Sequence, residues 1–416
     1  MASRVEETPD VARVNLANTL ENIAKVIRPP PDAIMNWFCI MCQVSAVRLF
    51  QHWGVFDLIP VGRDGGISYA DLAAKVDAET SLLYRVASML TSTGVLQHVQ
   101  PDKLAHTPIS LLLRENEPMG SMFKVMYTNV LETSTILPQY FDTHGRKEPV
   151  DLNQIPATFL EGKPELSFFE LLNQDPAKMK NFMRAMSITN RGRVPITGMY
   201  PMDDVIQAAN AQASPAGAPI WVDVGGGGGH TVKTFCLTYP DLPAERCVVQ
   251  DLPEVCKAAA EQAKEDEVLQ NVTWVPIDFH KEPPIEGALI YYLRHIARDY
   301  SDAVLFNILF NIRQAMKRPD SKILIAEGLA PSTPPLPVYA AFKDYSMMAI
   351  GGKERSLEGF KSVIEAAGLE LSAVYKDRDT PQAIIECSLP EHMYSTGAQA
   401  LSTGDLMCNI PTTDVS

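Results

Sequence analysis

The chain lacks any run of basic residues. Its 416 residues include 36 Lys and Arg against 50 Asp and Glu, which gives a formal net charge of -14. Proteins that bind nucleic acid or anionic membrane surfaces carry the opposite charge where they bind. We therefore expect neither nucleic acid nor a membrane among the partners of this protein.

Paired cysteine motifs and long apolar runs are also scarce. Seven cysteines extend from Cys39 to Cys408, and the single Cys-x-x-Cys spacing, Cys39 to Cys42, has no second pair. This pattern indicates reduced thiols, with Cys39 and Cys42 buried in an apolar helix, and no metal site. The start of the chain, 1–10, is unlike a signal peptide, and the apolar runs stop short of the ~18 residues of a membrane helix. We expect a cytoplasmic protein.

Glycine, in contrast, is concentrated in one stretch, Asp223 to Gly229, where an apolar segment runs into five consecutive glycines. Adjacent glycines cost backbone entropy, so the turn must need positive φ angles or a close ligand. Such loops end the first strand of doubly wound sheets, facing a cofactor. The pattern favours S-adenosylmethionine (SAM), because His230 stands where a dinucleotide fingerprint needs Gly or Ala.

A second acidic residue has the spacing of a nucleoside site. The short apolar segment 247–250 ends in Asp251, about 20 residues beyond the glycine loop, where a ribose-binding carboxylate is expected. The alternative interpretation is a flexible turn followed by a helix-capping Asp before Leu252. We favour the nucleoside site.

Hydrophobic periodicity divides the chain into four regions. The first, 1–115, shows helices followed by a hairpin, which is the order of a winged helix; with the acidic charge, it indicates a dimerisation domain and hence a homodimer. The second, 116–210, is helical, with breaks expected at its prolines (Pro138, Pro156, Pro164 and Pro176), and supplies apolar residues for a substrate pocket. The third is 211–390. The tail, 391–416, is either disordered or a lid.

The third region alternates strands and helices, which predicts a parallel, doubly wound sheet. In such sheets ligands bind beyond the carboxyl ends of the strands. Five polar or glycine positions fall there: Gly225, Asp251, Asp278, Arg294 and Glu327. The predicted strands are 220–224, 247–250, 273–276, 287–292, 322–327 and 383–387.

Several motifs in this order resemble those of the plant-type and fungal small-molecule O-methyltransferases. They are Asp223 to Gly229, Asp251-Leu252-Pro253, Asp278-Phe279, Asp299 to Asp302 and Gly351 to Arg355. The resemblance covers nearly all of 30–390. It implies an α/β fold: a doubly wound, Rossmann-like class I SAM-methyltransferase domain preceded by an α-helical winged-helix dimerisation domain.

The same resemblance assigns the cofactor site. It places the glycines against SAM, Asp251 on the ribose hydroxyls, and Asp278 and Phe279 at the adenine. Arg294 stands where the family usually has a Lys near the cofactor. The expected cofactor-binding residues are Asp223, Gly225, Gly226, Gly227, Asp251, Leu252, Asp278, Phe279 and Arg294.

Two residues depart from the methyltransferase pattern. The family reads His-Asp-Trp, with the His as general base, where this chain reads Arg298-Asp299-Tyr300. Arginine, with a pKa above ~12, cannot accept a proton at neutral pH. The second departure is Lys343, which stands where the family has an apolar pocket residue. The alternatives without a catalytic role are a salt bridge for Arg298 and a surface position for Lys343. His295 is an alternative base, although its position matches a packing aromatic in the family.

Two cations at a substrate pocket suit a site that polarises carbonyl oxygens. In this the chain resembles the fungal SAM-dependent pericyclases of 2-pyridone alkaloid pathways. The resemblance implies a 2-pyridone alcohol that loses water to give a quinone methide, then an Alder-ene or hetero-Diels–Alder cyclisation. It assigns catalysis to Arg298, Asp299, Lys343, Glu327 and Glu354. The alternatives are an O-methyltransferase of a phenolic or polyketide-type small molecule and a non-catalytic SAM-binding protein.

Overall fold

The computed structural model describes residues 10–62, 66–190, 197–211, 218–378 and 380–390. The predictions made for the two ends of the chain, 1–9 and 391–416, lie outside these residues, as does the start of the third predicted region, 212–217. The chain divides into two compact units, Met1–Val125 and Met126–Ser416. The finer divisions at 115 and 210 stay predictions.

The first unit combines helices with a three-stranded antiparallel sheet in the order β1-β3-β2. Ser68 caps the helix that follows it, since its hydroxyl accepts from the backbone N–H of Asp71. The predicted hairpin is also present, and β1 was missed because three residues are too few to show alternation. The elements are α1 (Asp10–Ile27), α2 (Pro30–His52), α3 (Val55–Leu58), β1 (Gly66–Ser68), α4 (Tyr69–Lys75), α5 (Thr80–Ser92), β2 (Leu96–Gln100), β3 (Lys103–His106), α6 (Pro108–Leu111) and α7 (Pro118–Met126).

Helix α2 corrects two expectations. Cys39 and Cys42 are exposed, not buried, because the buried side chains of α2 all lie in its last two turns. An 18-residue window of α2 has a mean hydropathy of 1.4, so by length and composition this helix is able to cross a membrane, contrary to the expectation that no run is long enough. Its exposed large apolar side chains are Ile34, Met35, Trp37, Phe38, Ile40 and Met41.

The second unit begins with a helical region that opens on a π-helical turn, Tyr127–Glu132. Pro156 and Pro176 begin helices, but the break predicted at Pro138 is wrong. A proline removes one ladder hydrogen bond, and here the burial of Leu137 and Tyr140 on either side outweighs that loss. The helices are α8 (Thr133–His144), α9 (Pro156–Leu160), α10 (Phe168–Asn173), α11 (Pro176–Asn190) and α12 (Met202–Ala211).

The rest of the second unit is a seven-stranded sheet in the order β6-β5-β4-β7-β8-β10-β9. The first five are parallel, as predicted, but β10 runs antiparallel to both neighbours because the short 377–381 connection joins β9 and β10 as a hairpin. The strands are β4 (Trp221–Val224), β5 (Cys247–Asp251), β6 (Thr273–Pro276), β7 (Ile290–Arg294), β8 (Lys322–Gly328), β9 (Glu370–Lys376), which was missed, and β10 (Gln382–Ser388). The helices are α13 (His230–Thr238), α14 (Pro253–Ala263), α15 (Asp302–Ala315), α16 (Val338–Met348) and α17 (Leu357–Ala366).

The four central parallel strands, β5, β4, β7 and β8, are buried and apolar along nearly their whole length. Strands covered on both faces need such sequences. Their carboxyl ends lie side by side in the sheet. The glycine loop, Asp251, Arg294 and Glu327 therefore meet at one edge, which confirms the predicted convergence.

Candidate functional site

The glycine loop follows β4 in a left-handed conformation. Gly225, Gly227 and Gly229 have φ angles of 72°, 56° and 71°, which side chains rarely adopt. A Cβ at Gly226 would lie 2.7 Å from the carboxyl carbon of Asp223, whereas a Cβ at Gly227 would meet nothing within 4 Å. The loop is therefore packed against the sheet at Gly226, whereas the space beside Gly227 is empty. A ligand that contacts the backbone needs such a space.

Asp251, at the end of β5, is tied to this loop. It accepts hydrogen bonds from the backbone N–H groups of Gly227 and Leu252, both at 2.8 Å. Burial raises the pKa of Asp251, and these two bonds oppose the rise. The carboxylate is thus held in a fixed position beside the open part of the loop, which fits a partner with adjacent hydroxyl groups.

Asp223 and Arg294 lie beneath the loop. Burial raises the pKa of Asp223 to about 7, although the nearby charge of Arg294 opposes this. Its Oδ2 atom is buried and has no hydrogen-bond partner among the described residues, and the same is true of Arg294 Nε. Buried polar atoms are usually paired. These orphaned atoms indicate that a polar ligand completes the site.

Phe279 and Asp278 follow β6 on the other side of the loop. The Phe279 ring lies 3.4 Å from a Cβ placed on Gly225 and meets Tyr300 edge to face at 6.2 Å. Asp278 pairs with Lys281 at 2.7 Å. Burial alone would raise the pKa of Asp278, but the bonds from Lys281 and from the His280 backbone lower it. An aromatic face next to a carboxylate suits a purine with an amino group.

Arg298 and Asp299 lie in a 3-10 turn, Ala297–Asp299, just beyond β7. Arg298 Nε is 3.8 Å from Asp299 Oδ1 and has no hydrogen-bond partner among the described residues. Burial would lower the pKa of Arg298, but the carboxylates of Glu327 and Asp299 raise it. Burial raises the pKa of Asp299 to about 7 against the effect of Arg298. The turn therefore presents a permanent cation beside a carboxyl group that is partly protonated at neutral pH.

Lys343, on α16, is not a surface lysine. Its Nζ donates to Glu354 Oε2 at 3.0 Å, and the two side chains are only 23% and 5% exposed. Nζ also lies 3.5 Å from a Cβ placed on Gly328, the residue after Glu327. Since the charge of Glu354 also acts on Arg298, one carboxylate connects the two cations.

A pair that sequence reasoning did not find, His295 with Glu327, lies at the ends of β7 and β8. His295 Nδ1 is 3.5 Å from Glu327 Oε2, and the side chains are 16% and 1% exposed. The other oxygen of Glu327 accepts from the Arg298 backbone N–H at 3.4 Å. Glu327 thus lies beside both a histidine outside the family motif and the backbone of Arg298.

Arg355 was also missed as a supporting residue. It is 3% exposed, and its guanidinium donates to the carbonyls of Ala297 at 2.6 Å and Tyr300 at 2.7 Å and to Asp302 Oδ1 at 2.7 Å. Both Arg355 and Asp302 belong to the recognised motifs, but nothing in the sequence says that they pair. The pair fixes the backbone that carries Arg298.

Comparison with known proteins gives consistent matches. The O-methyltransferase domain family model matches residues 151–370. Methyltransferase cfoD of Aspergillus candidus is 31% identical over 381 residues, which cover 91% of this chain and 92% of that protein. Methyltransferase fsa4 of Fusarium sp. (strain FN080326) is 33% identical over 371 residues, covering 88% of this chain and 98% of that protein.

Solved structures match the fold over nearly the whole chain. OxaC in complex with sinefungin and meleagrin has a TM-score of 0.80 at 26% identity and covers 94% of this chain and 96% of that chain. LepI in complex with SAM has a TM-score of 0.78 at 24% identity and covers 94% and 97%. At that identity LepI shows the fold alone. The predicted architecture, a Rossmann-like domain after an amino-terminal helical region, is confirmed.

Proposed function

The chain belongs to the O-methyltransferase domain family, and from that premise we propose that it is a SAM-dependent pericyclase of secondary metabolism. Its substrate is a 2-pyridone alcohol. The enzyme removes water to give a quinone methide and then directs an Alder-ene or hetero-Diels–Alder cyclisation. No methyl group is transferred.

Arg298 is the observation that carries this proposal. It occupies the position of a general base but is a permanent cation, and the carboxylates of Glu327 and Asp299 raise its pKa further. A methyltransferase without a positioned base loses ~10²–10⁴ in rate. A fixed cation whose Nε has no hydrogen-bond partner among the described residues, in contrast, stabilises negative charge that develops on an oxygen.

Lys343 supplies a second donor. The buried pair with Glu354 explains why an ammonium is tolerated there, since a lone buried charge is costly. Arg298 and Lys343 hydrogen-bond the two oxygens of the pyridone ring. Glu327 and Glu354 fix their orientation, so the donors are in place before the ring becomes electron-rich.

Asp299 takes part in the loss of water. Because burial raises its pKa to about 7, a substantial fraction is neutral at neutral pH and has a proton to give. That proton goes to the side-chain hydroxyl as its carbon–oxygen bond breaks, so water leaves. The ring hydroxyl loses a proton in the same step, and the product is a neutral quinone methide whose cyclisation needs no further proton transfer.

The prediction of SAM as the cofactor is confirmed, since solved structures similar to this chain include OxaC with sinefungin and OxaC with S-adenosylhomocysteine and oxaline. The open glycine loop, Asp251 and the orphaned Oδ2 of Asp223 fit this molecule. Gly225 to Gly227, Leu252, Asp278, Phe279 and Arg294 complete the proposed site. When bound, SAM supplies a sulfonium charge next to the reacting ring.

An O-methyltransferase of a phenolic or polyketide-type molecule is the second candidate. The His295–Glu327 pair favours it, because a neutral histidine is able to deprotonate a phenol. The relatives at 31% and 33% identity are also named methyltransferases. Formation of S-adenosylhomocysteine separates this candidate from the pericyclase.

A homodimer is the assembly we propose. The exposed apolar residues of α2 form a surface that a monomer would leave in water, and a second copy of the chain would cover it. A small molecule is the remaining partner, and the cytoplasmic location stays a prediction.

The deciding experiment combines the purified protein with SAM and a 4-hydroxy-2-pyridone alcohol. We expect a product lighter by one water, with a new ring and no S-adenosylhomocysteine. Replacing SAM by S-adenosylhomocysteine, which lacks the sulfonium charge, is expected to slow the reaction. A product heavier by one methylene, with S-adenosylhomocysteine formed in step, would establish the methyltransferase instead.

A further inference from the structure

His295 has an unusual backbone for its residue type. It immediately follows β7 and has a φ of 56°, one of three positive φ angles found for non-glycine residues in the described part of the chain. Such a conformation is strained and persists where the surrounding structure demands it. It places the imidazole at the ligand-binding edge of the sheet, between Arg294 and the turn that carries Arg298.

The imidazole is buried and incompletely bonded. Nδ1 lies 3.5 Å from Glu327 Oε2, a close approach without a hydrogen bond, and Nε2 likewise has no hydrogen-bond partner among the described residues. Burial lowers the pKa of His295; Glu327 opposes this, and the charges of Arg298 and Arg294 reinforce it. The ring is therefore neutral at neutral pH. Because Glu327 is an acceptor, it selects the tautomer with the proton on Nδ1, which leaves a lone pair on Nε2.

We infer that His295, oriented by Glu327, accepts the ring-hydroxyl proton when the pyridone alcohol loses water, an inference that rests on the proposed function. The O–H proton moves to Nε2 as the side-chain carbon–oxygen bond breaks, and the departing hydroxyl takes the proton of Asp299. The imidazolium then returns its proton through water to the Asp299 carboxylate. The net change in the substrate is the loss of one water molecule.

The other groups of the site are less suited to this role. Arg298 and Lys343 are cations, and Asp299 is the proton donor. Glu354 is already paired with Lys343. His295 combines a neutral ring, an orienting carboxylate and a free lone pair, which are the features of a general base.

The test compares His295→Gln with His98→Gln in the SAM-loaded full-length protein acting on the 4-hydroxy-2-pyridone alcohol. Glutamine keeps a donor for Glu327 but cannot take up the proton, so we expect the dehydration rate to fall by about 10²-fold or more. His98 is an exposed residue of β2 and serves as the matched control with an unchanged rate.

The pH profile separates a chemical role from a structural one. In the wild type we expect the rate to fall at acidic pH, as Nε2 takes up a proton, with the midpoint below the ordinary histidine pKa because burial lowers it. His295→Gln loses this acidic limb. Glu327→Gln removes a charge that raises the histidine pKa, so its acidic limb moves to lower pH, a shift that a purely structural role would not produce.

Nuclear magnetic resonance of protein labelled with ¹⁵N-histidine gives a second readout. We expect His295 to carry its proton on Nδ1 at pH 7, and Glu327→Gln to abolish that preference. A proton on Nε2, or a His295→Gln rate and acidic limb equal to those of the wild type, would overturn the inference while leaving the pericyclase intact. A wild type that makes no dehydrated product would overturn both.

Discussion

The two halves of the site are built differently. The cofactor half, which comprises the glycine loop and Asp251, is formed mainly by backbone groups. Glycines with positive φ shape the loop, and Asp251 accepts from two backbone N–H groups at 2.8 Å. In the reaction half, side-chain charges lie close together, and Arg298 Nε, Glu354 Oε1 and both ring nitrogens of His295 have no hydrogen-bond partner among the described residues. The backbone of the first half is fixed before any ligand arrives, although Asp223 Oδ2 and Arg294 Nε lack a partner among the described residues, whereas in the second half the side chains themselves are left to be completed by a substrate.

This difference separates binding from chemistry. A fixed backbone cradle sets the affinity for the cofactor and tolerates changes on the substrate side. The closely placed charges of the reaction half determine which reaction is favoured. The strength of each interaction between them depends on the neighbouring charges. Substitutions in one half are therefore expected to leave the other half largely unaffected.

Arg298→Met should produce the largest effect. It removes the cation proposed to stabilise the ring oxygen, and for the proposed pericyclase we expect the cyclisation rate to fall by about 10²–10³-fold. SAM affinity, measured by titration calorimetry, should stay within about threefold. A loss of SAM affinity as large as the loss of rate would contradict the separation of the two halves.

Asp251→Asn tests the other half. The variant keeps the shape of the side chain but loses the charge, and the proposed ribose contact becomes weaker. We expect the dissociation constant for SAM to rise by about 10–100-fold, since hydrogen bonds to charged groups contribute about 1.5–3 kcal/mol. The rate at saturating SAM should fall far less than in Arg298→Met; an equal fall would show that Asp251 also serves the chemistry.

Gly352→Ala probes the contact between the Gly351–Arg355 motif and the Arg298 turn. A Cβ at Gly352 would clash with the Arg298 carbonyl oxygen, so the turn must move. Overpacking of this kind costs about 1–3 kcal/mol of unfolding free energy, measured by denaturant titration. Gly359→Ala, in α17 where a Cβ has ordinary contacts at 3.5 Å, is the control and should be neutral or slightly stabilising.

Asp299→Asn removes the proposed proton donor and should slow dehydration; its separate effect on stability is small and depends on pH. The pKa of Asp299 is raised to about 7 from 3.8, so the folded state binds the extra proton between these values. The contribution of the Asp299 carboxyl group to the free energy of unfolding is fully present below about pH 4 and is lost as the pH rises through 7. Relative to the wild type, the variant should gain about 2–3 kcal/mol between pH 5 and pH 8, measured by thermal unfolding at both. A constant difference would contradict the raised pKa.

The sequence predicted the cofactor half better than the reaction half. The glycine loop, Asp251 and the strand ends follow from backbone rules that a residue pattern expresses directly. The His295–Glu327 pair does not, because it depends on a positive φ angle at His295 and on the adjacency of β7 and β8. In the same way Cys39 and Cys42 were wrongly expected to be buried, since an apolar pattern does not say whether a helix faces the core or a partner.

The Arg355 guanidinium holds the Ala297 and Tyr300 carbonyls from below, so the shape of the turn does not depend on the side chain at position 298. A histidine, a lysine or an arginine can be displayed there on the same backbone. The side chain at position 298 is therefore open to change in evolution. A change in one codon exchanges a proton-accepting histidine for a permanently charged arginine. The proposed change of reaction then needs no loss of the fold.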